Sequence, residues 1–347
     1  MNLEGARLKR TRRLVNAASA SVAIFALSAC TDAVKVPAPP VPKIEELRAV
    51  WNSQSLERAP VSLALSEGAS AVMALAYDGS GVQLFDLDGA PIGAPADFRV
   101  SQLARGQTLF LDGARLVLFP ALSRDGEALL LANGEGLIAP VALPLALGEG
   151  VQPAGLCAAA PGGEPGAVMR LAYWTQAVPE SLITGTVTLT AAQDLVWTKD
   201  TAITANARIT ACSFDSRGPV FAAGPLVIRE PDLALKPGVL DNRMRLNAPV
   251  EQLDIIEPEG GSPVALARLS TGQIFAVRGD GVISEIKVRP GMSVGVPARP
   301  ETFAAITAPR GGGYPFGVLA ISGALEDGDE RITLIDLQAL VQAAPGG

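Results

Sequence analysis

Beyond Asn52 the apolar residues of this chain come in short runs, each closed by Gly, Pro, Asp or Asn. None is spaced to give a long amphipathic helix. Ala71–Tyr77, Val82–Leu87, Leu116–Pro120, Ala128–Leu131, Val168–Trp174 and Gly185–Thr190 are of this kind. The pattern continues through Pro219–Ala223, Val264–Leu269, Ile274–Arg278, Val318–Ile321 and Ile332–Asp336. Runs of this length read as strands. Between them Asp78-Gly79, Asp88-Gly89, Asp125-Gly126 and Asp280-Gly281 mark tight hairpins, because Asp-Gly accepts positive φ at low cost. Many short, evenly spaced strands indicate a sandwich, a barrel or a propeller. The length and strand number predict an all-β fold, a β-propeller of about six four-stranded blades, with a paired β-sandwich as the alternative. Lys43–Asn52 (KIEELRAVWN) is the exception and predicts one short helix.

The first residues read as an export signal. Arg7, Lys9, Arg10, Arg12 and Arg13 form a basic start, and Leu14–Ala29 follows without a charge, too short for a comfortable membrane span. Leu27-Ser28-Ala29-Cys30 has the leucine-small-small-cysteine pattern of a bacterial lipoprotein, in which the cysteine thiol is alkylated with diacylglycerol before cleavage ahead of it. Residues 1–29 are therefore expected to be a lipoprotein signal peptide and Cys30 the lipidation site. Thr31 stands where an aspartate often retains such proteins in the inner membrane. The expected location is the periplasmic side of a bacterial outer membrane, with the periplasmic face of the inner membrane as the alternative. Thr11-Arg12-Arg13 admits a twin-arginine route, but Val15 and Asn16 fit it poorly, and the choice between the two export routes stays open. Thr31–Pro42 (TDAVKVPAPPVP) reads as an extended proline-rich tether. Residues 30–57 then comprise lipidated cysteine, tether and short helix, and 58–345 the propeller domain.

Charge and composition narrow the function. Loss of residues 1–29 would move the net charge from −7 to −11, since Glu4 leaves with five basic residues. An acidic exported chain with no basic cluster is a poor nucleic-acid binder. The chain contains no histidine, which excludes Ser-His-Asp and Cys-His catalysis and histidine-ligated metals. Gly311-Gly312-Gly313 precedes a strand-like segment rather than a helix and is not a phosphate cradle.

Three segments carry a family likeness: Ser80–Gly93 (SGVQLFDLDGAPIG), Pro249–Ile256 (PVEQLDII) and Tyr314–Ser322 (YPFGVLAIS). In order and spacing they resemble the β-propeller phytases, calcium-dependent enzymes that remove phosphates from inositol hexakisphosphate. The likeness is a chain of weak motifs from about Val61 to Val341. It implies that Arg105 and Arg124 fall where the family places phosphate-gripping arginines, whose forked donors suit phosphate geometry. It implies calcium as the cofactor, with Glu251 as a retained ligand and Glu301 as a substitute one. Cys157 and Cys212 stand where many members carry cysteine, which implies a disulfide between them.

Against this, much of the family pattern is missing. Arg58-Ala59-Pro60 replaces a paired-aspartate strand, Ala154 a tyrosine, Thr210-Ala211 a Glu-Gly and Gly224-Pro225 a Glu-Glu pair. Asp86 and Asp88 read as turn-formers, with calcium ligation the alternative. Calcium takes six to eight oxygen ligands, and two family carboxylates do not supply several such sites. The 3-phytase activity implied by the resemblance is therefore expected to be reduced or lost. The sequence reads best as an exported lipoprotein whose propeller is a non-catalytic binding or scaffold module. Its expected partners are the membrane, through the lipid anchor, and an unidentified protein or anionic small molecule. A divergent active phytase is the alternative; it would draw extra ligands from Asp78, Asp215, Asp254 or Glu257.

Overall fold

The structure, a computed structural model, describes residues 42–342 except 69, 112, 191–193, 206, 230–244, 260, 280 and 308–313. The export signal, Cys30 and the tether expected from the sequence lie outside the described residues.

Six strands form an inner ring: β2 (Pro60–Glu67), β6 (Val100–Leu103), β11 (Pro153–Ala159), β15 (Ile209–Asp215), β18 (Val250–Ile256) and β22 (Thr302–Ile306). Each opens an antiparallel blade. Blade 1 continues with β3 (Met73–Tyr77), β4 (Gly81–Phe85) and β5 (Pro91–Ala96). In blade 2, β6 pairs with β8 (Ala114–Ser123), followed by β9 (Ala128–Gly134) and β10 (Val141–Pro144). There β7 (Gly106–Leu111) prolongs the inner edge and pairs in parallel with the end of β2. Blade 3 adds β12 (Ala167–Thr175), β13 (Ser181–Leu189) and β14 (Leu195–Thr204).

Blade 4 adds β16 (Gly218–Ala223) and β17 (Leu226–Arg229), and so has three strands among the described residues. Blade 5 adds β19 (Val264–Leu269), β20 (Ile274–Arg278) and β21 (Ile283–Arg289). Blade 6 adds β23 (Val318–Ala324), β24 (Glu330–Asp336) and, from the other end of the chain, β1 (Lys43–Asn52). The inner strand β2 touches both β22 and β6, which closes the ring. The fold is a β-propeller.

Packing explains why the strands read as nearly continuous apolar runs. Among the described residues the core divides into six clusters, and each fills the gap between two neighbouring blades. Leu63, Met73 and Leu75 of blade 1 meet Ala304, Val318 and Leu334 of blade 6. Ile256, Val264 and Leu266 of blade 5 meet Phe303, Leu319 and Ile335 of blade 6. The same holds between blades 1 and 2, 2 and 3, 3 and 4, and 4 and 5. A blade buried on both faces loses the in–out alternation that marks a one-sided sheet.

Lys43–Asn52 is a strand, not the expected short helix. Its helix-forming residues are overridden by two open sheet edges. Lys43–Arg48 pairs in parallel with β21 of blade 5, and Ala49–Asn52 pairs antiparallel with β24 of blade 6. Burial follows the strand period, with Leu47 and Ala49 inside (2% and 1% exposed) and Ile44 and Val50 outside. Glu45 receives two bonds from the buried Arg278 at 2.8 and 2.9 Å. The Trp51 ring lies against blade 1, where a Cβ at Gly89 would come within 2.4 Å of it; Gly89 also has φ +82° in the β4–β5 turn. One strand thus fastens three blades.

Candidate functional site

The inner strands enclose a channel of roughly 360 Å³. They all run the same way, so their first residues share one mouth and their last residues the other. Arg105, Glu251 and Glu301 all line the channel. By register, Glu251 and Glu301 belong to the mouth where the inner strands begin, and Arg105, just past β6, to the other end.

Arg105 is nearly buried (10% side-chain exposure), and both terminal nitrogens of its guanidinium donate to protein, while its buried Nε has no partner. It donates to Glu67 of blade 1 at 2.7 Å, to Asp254 and the Ile255 carbonyl of blade 5, and to the Ala305 carbonyl of blade 6 at 3.1 Å. Burial pushes its pKa down, but Asp254 and Glu67 outweigh that and hold it above the ordinary guanidinium value. Asp254 is the hub: it also accepts from Ser213 Oγ of blade 4 at 3.3 Å, from its neighbour Ile255 N–H at 3.0 Å and from Ala305 N–H at 2.7 Å. The arginine expected to grip phosphate therefore ties blades 1, 2, 5 and 6 together.

Three other polar side chains of the inner ring do the same work, each bonding the next inner strand, whereas Ser101 and Thr210 bond within their own blades. Ser62 Oγ accepts from Leu103 N–H at 2.9 Å, joining blades 1 and 2. Gln102 donates to the Leu156 carbonyl at 2.9 Å and accepts from Leu156 N–H at 3.2 Å, joining blades 2 and 3. Gln252 makes the same two-way bond to Phe303 and accepts from Thr302 Oγ1 at 3.2 Å, joining blades 5 and 6. Between blades 3 and 4 the link is covalent: Cys157 and Cys212 form a disulfide with Cα atoms 5.6 Å apart. Cys157→Ser with Cys212→Ser should cost roughly 2–4 kcal/mol through the freer unfolded chain. Urea denaturation of the oxidised and reduced protein checks this, and coincident curves would contradict it.

Two further candidates, Glu251 and Arg124, are also paired. Glu251 is half-exposed and bonds Arg268 at 3.1 Å. Burial lowers the pKa of Arg268, opposed mainly by Glu251. Arg124 does not line the channel; it sits past β8 on the surface, half-exposed, in an ion pair with Asp78. The carboxylates that would complete a calcium site are engaged elsewhere. Buried Asp215 caps the β15–β16 turn through the Arg217 and Gly218 N–H groups at 2.9 and 3.0 Å. Glu257 accepts from Ser216 N–H at 2.6 Å. Asp86 holds the β4–β5 turn through Asp88 and Ala90 N–H at 3.0 and 2.8 Å, the turn-former reading.

Among the described residues no group of three or more Asp, Glu, Cys or His could hold a metal. Of the expected ligands, Glu251 is committed to Arg268, whose charge Glu301 also feels, and the two carboxylates belong to no metal-holding group. The chemistry left at the strand-start mouth is that of a small polar opening lined by Ser101, Thr210, Glu251 and Glu301.

No family model matches the chain, and no curated protein matches it. Among solved structures it is similar to AofleA from Arthrobotrys oligospora, at 15% identity over 84% of this chain and 92% of that one, TM-score 0.49. It is also similar to the six-bladed β-propeller Aleuria aurantia lectin, described with a fucose recognition mode, at 11% identity over 82% and 97%, TM-score 0.45. A third is BBS1N in complex with ARL6DN, at 13% identity over 81% and 79%, TM-score 0.44. Likeness at this level concerns the fold alone, and the propeller assignment rests on the strand pairing.

Proposed function

We propose that this chain is a non-catalytic β-propeller module that binds or scaffolds a partner while lipid-anchored through Cys30, on the periplasmic side of a bacterial outer membrane. The observation that carries the non-catalytic reading is Arg105. A phosphate ligand would have to displace Glu67, Asp254 and two carbonyls from it, and leave Asp254 buried without its cation. Calcium-assisted phosphoester hydrolysis also needs positioned metal ions, and the carboxylates that would hold them form turns or ion pairs. The anchor reading rests on the basic start, the uncharged stretch and Leu27-Ser28-Ala29-Cys30. A protein client suits the module better than an anionic small molecule, because the channel's arginines Arg105 and Arg268 are already paired with carboxylates.

Calorimetric titration of the protein with calcium, then with phytate in calcium, should give no saturable heat, and no phosphate should be released. Saturable calcium binding that enables phytate binding would overturn the reading. For the anchor, Cys30→Ser should abolish metabolic lipid labelling, and unchanged labelling would refute it.

A further inference from the structure

Two uncharged stretches, Gly89–Ala96 and Gly136–Gly148, are brought side by side at the outer rim of blades 1 and 2. Ala94 N–H donates to the Ile138 carbonyl at 2.6 Å. The approach is close enough that a Cβ at Gly93 (φ +70°) would lie 2.4 Å from that oxygen. Four of the eleven large apolar side chains exposed among the described residues fall here: Leu137, Ile138, Val141 and Leu143, with Ile138 81% exposed. Pro91, Ala94, Pro95 and Pro144 beside them are exposed as well. Such a grouping of exposed apolar side chains, led by Ile138, is the kind of feature that contact sites show.

The chemistry of the rim selects its occupant. β5 carries Pro91 and Pro95, and β10 is bounded by Pro140 and Pro144. Proline has no N–H, so these edges are poor templates for an added strand. The same lack suits contact with lipid, where an unpaired donor is costly. Only twelve residues, Thr31–Pro42, separate Cys30 from β1, so a lipid anchor at Cys30 would hold the domain at high effective concentration near the bilayer.

We propose that the rim formed by Pro91–Pro95 and Leu137–Pro144 rests on the bilayer surface, fixing how the tethered propeller is oriented. This rests on the lipid-anchor reading above. The anchor supplies the affinity and the rim the orientation.

The test uses the full lipidated chain in phosphatidylethanolamine–phosphatidylglycerol vesicles with brominated acyl chains. Ile138→Trp, Leu143→Trp and, in the β21–β22 connection, the exposed Met292→Trp are compared after subtracting the emission of Trp51, Trp174 and Trp197. Emission added at 138 and 143 should fall by about half in brominated against plain vesicles, as for a side chain at the headgroup–acyl boundary. Emission added at 292 should not change. Mass spectrometry of Cys30 separates the failures. An unlipidated chain sinks the anchor and this proposal together; a lipidated chain with unquenched 138 and 143 sinks the proposal alone. Quenching at 292 equal to that at 138, or shielding of 138 that tracks protein concentration rather than lipid, also overturns it.

Discussion

Removal of Lys43–Asn52 should leave a chain that no longer unfolds cooperatively. β1 is the outer strand of blade 6, the parallel neighbour of β21 in blade 5, and the source of the Trp51 ring against blade 1. Its loss opens two sheet edges, uncovers the apolar cluster that contains Leu47, and leaves Arg278 buried without Glu45. Stripping the partner from a buried charge alone costs about 3–5 kcal/mol. With the lost strand pairing and apolar burial, the sum reaches the roughly 5–15 kcal/mol that holds a whole domain folded. Circular dichroism melts of the intact and deleted chains decide it. A cooperative transition within a few degrees of the intact protein would show that the ring closes without this strap.

Asp254→Ala should destabilise the propeller by about 3 kcal/mol, because it removes one of the two carboxylates paired with the nearly buried Arg105 guanidinium and leaves only Glu67. Asp254 is itself largely buried, at 14% side-chain exposure, and bonds Ser213, Ala305 and Arg105 from three other blades. The loss should appear as a lower urea midpoint with an unchanged slope. By contrast Arg124→Ala, which breaks a half-exposed pair with Asp78, should stay within about 1 kcal/mol of the parent. The two variants separate a staple from a surface charge.

Much of the fold was legible in the sequence. Runs such as Val168–Trp174 and Ile332–Asp336 became strands, and Asp78-Gly79, Asp88-Gly89 and Asp125-Gly126 fell in the expected hairpin turns. Lys43–Asn52 was not legible as a strand, because its partners β21 and β24 lie more than two hundred residues away and its local residue types favour helix. The candidate site was read less well. Arg105 was expected to hold phosphate on the strength of family likeness, but its carboxylate partners Glu67 and Asp254 lie 38 and 149 residues away, where no local pattern reveals them. A signal for the staples was nonetheless present. Ser62-Leu63, Gln102-Leu103 and Gln252-Leu253 each place a polar side chain before a buried leucine near the start of an inner strand. In each case the polar group bonds the next blade's backbone.

The central claim is that the channel's polar groups are structural, and a double-mutant cycle on Arg105 and Asp254 tests it most directly. Arg105→Ala, Asp254→Ala and the double variant are unfolded in urea, each with and without calcium and phytate. The account predicts a coupling of about 2 kcal/mol or more between the two sites, at the upper end for residues in one network, and no stabilisation by either ligand. Additive losses, together with a phytate-dependent rise in stability that disappears in Arg105→Ala, would contradict it and return Arg105 to the role of a phosphate ligand.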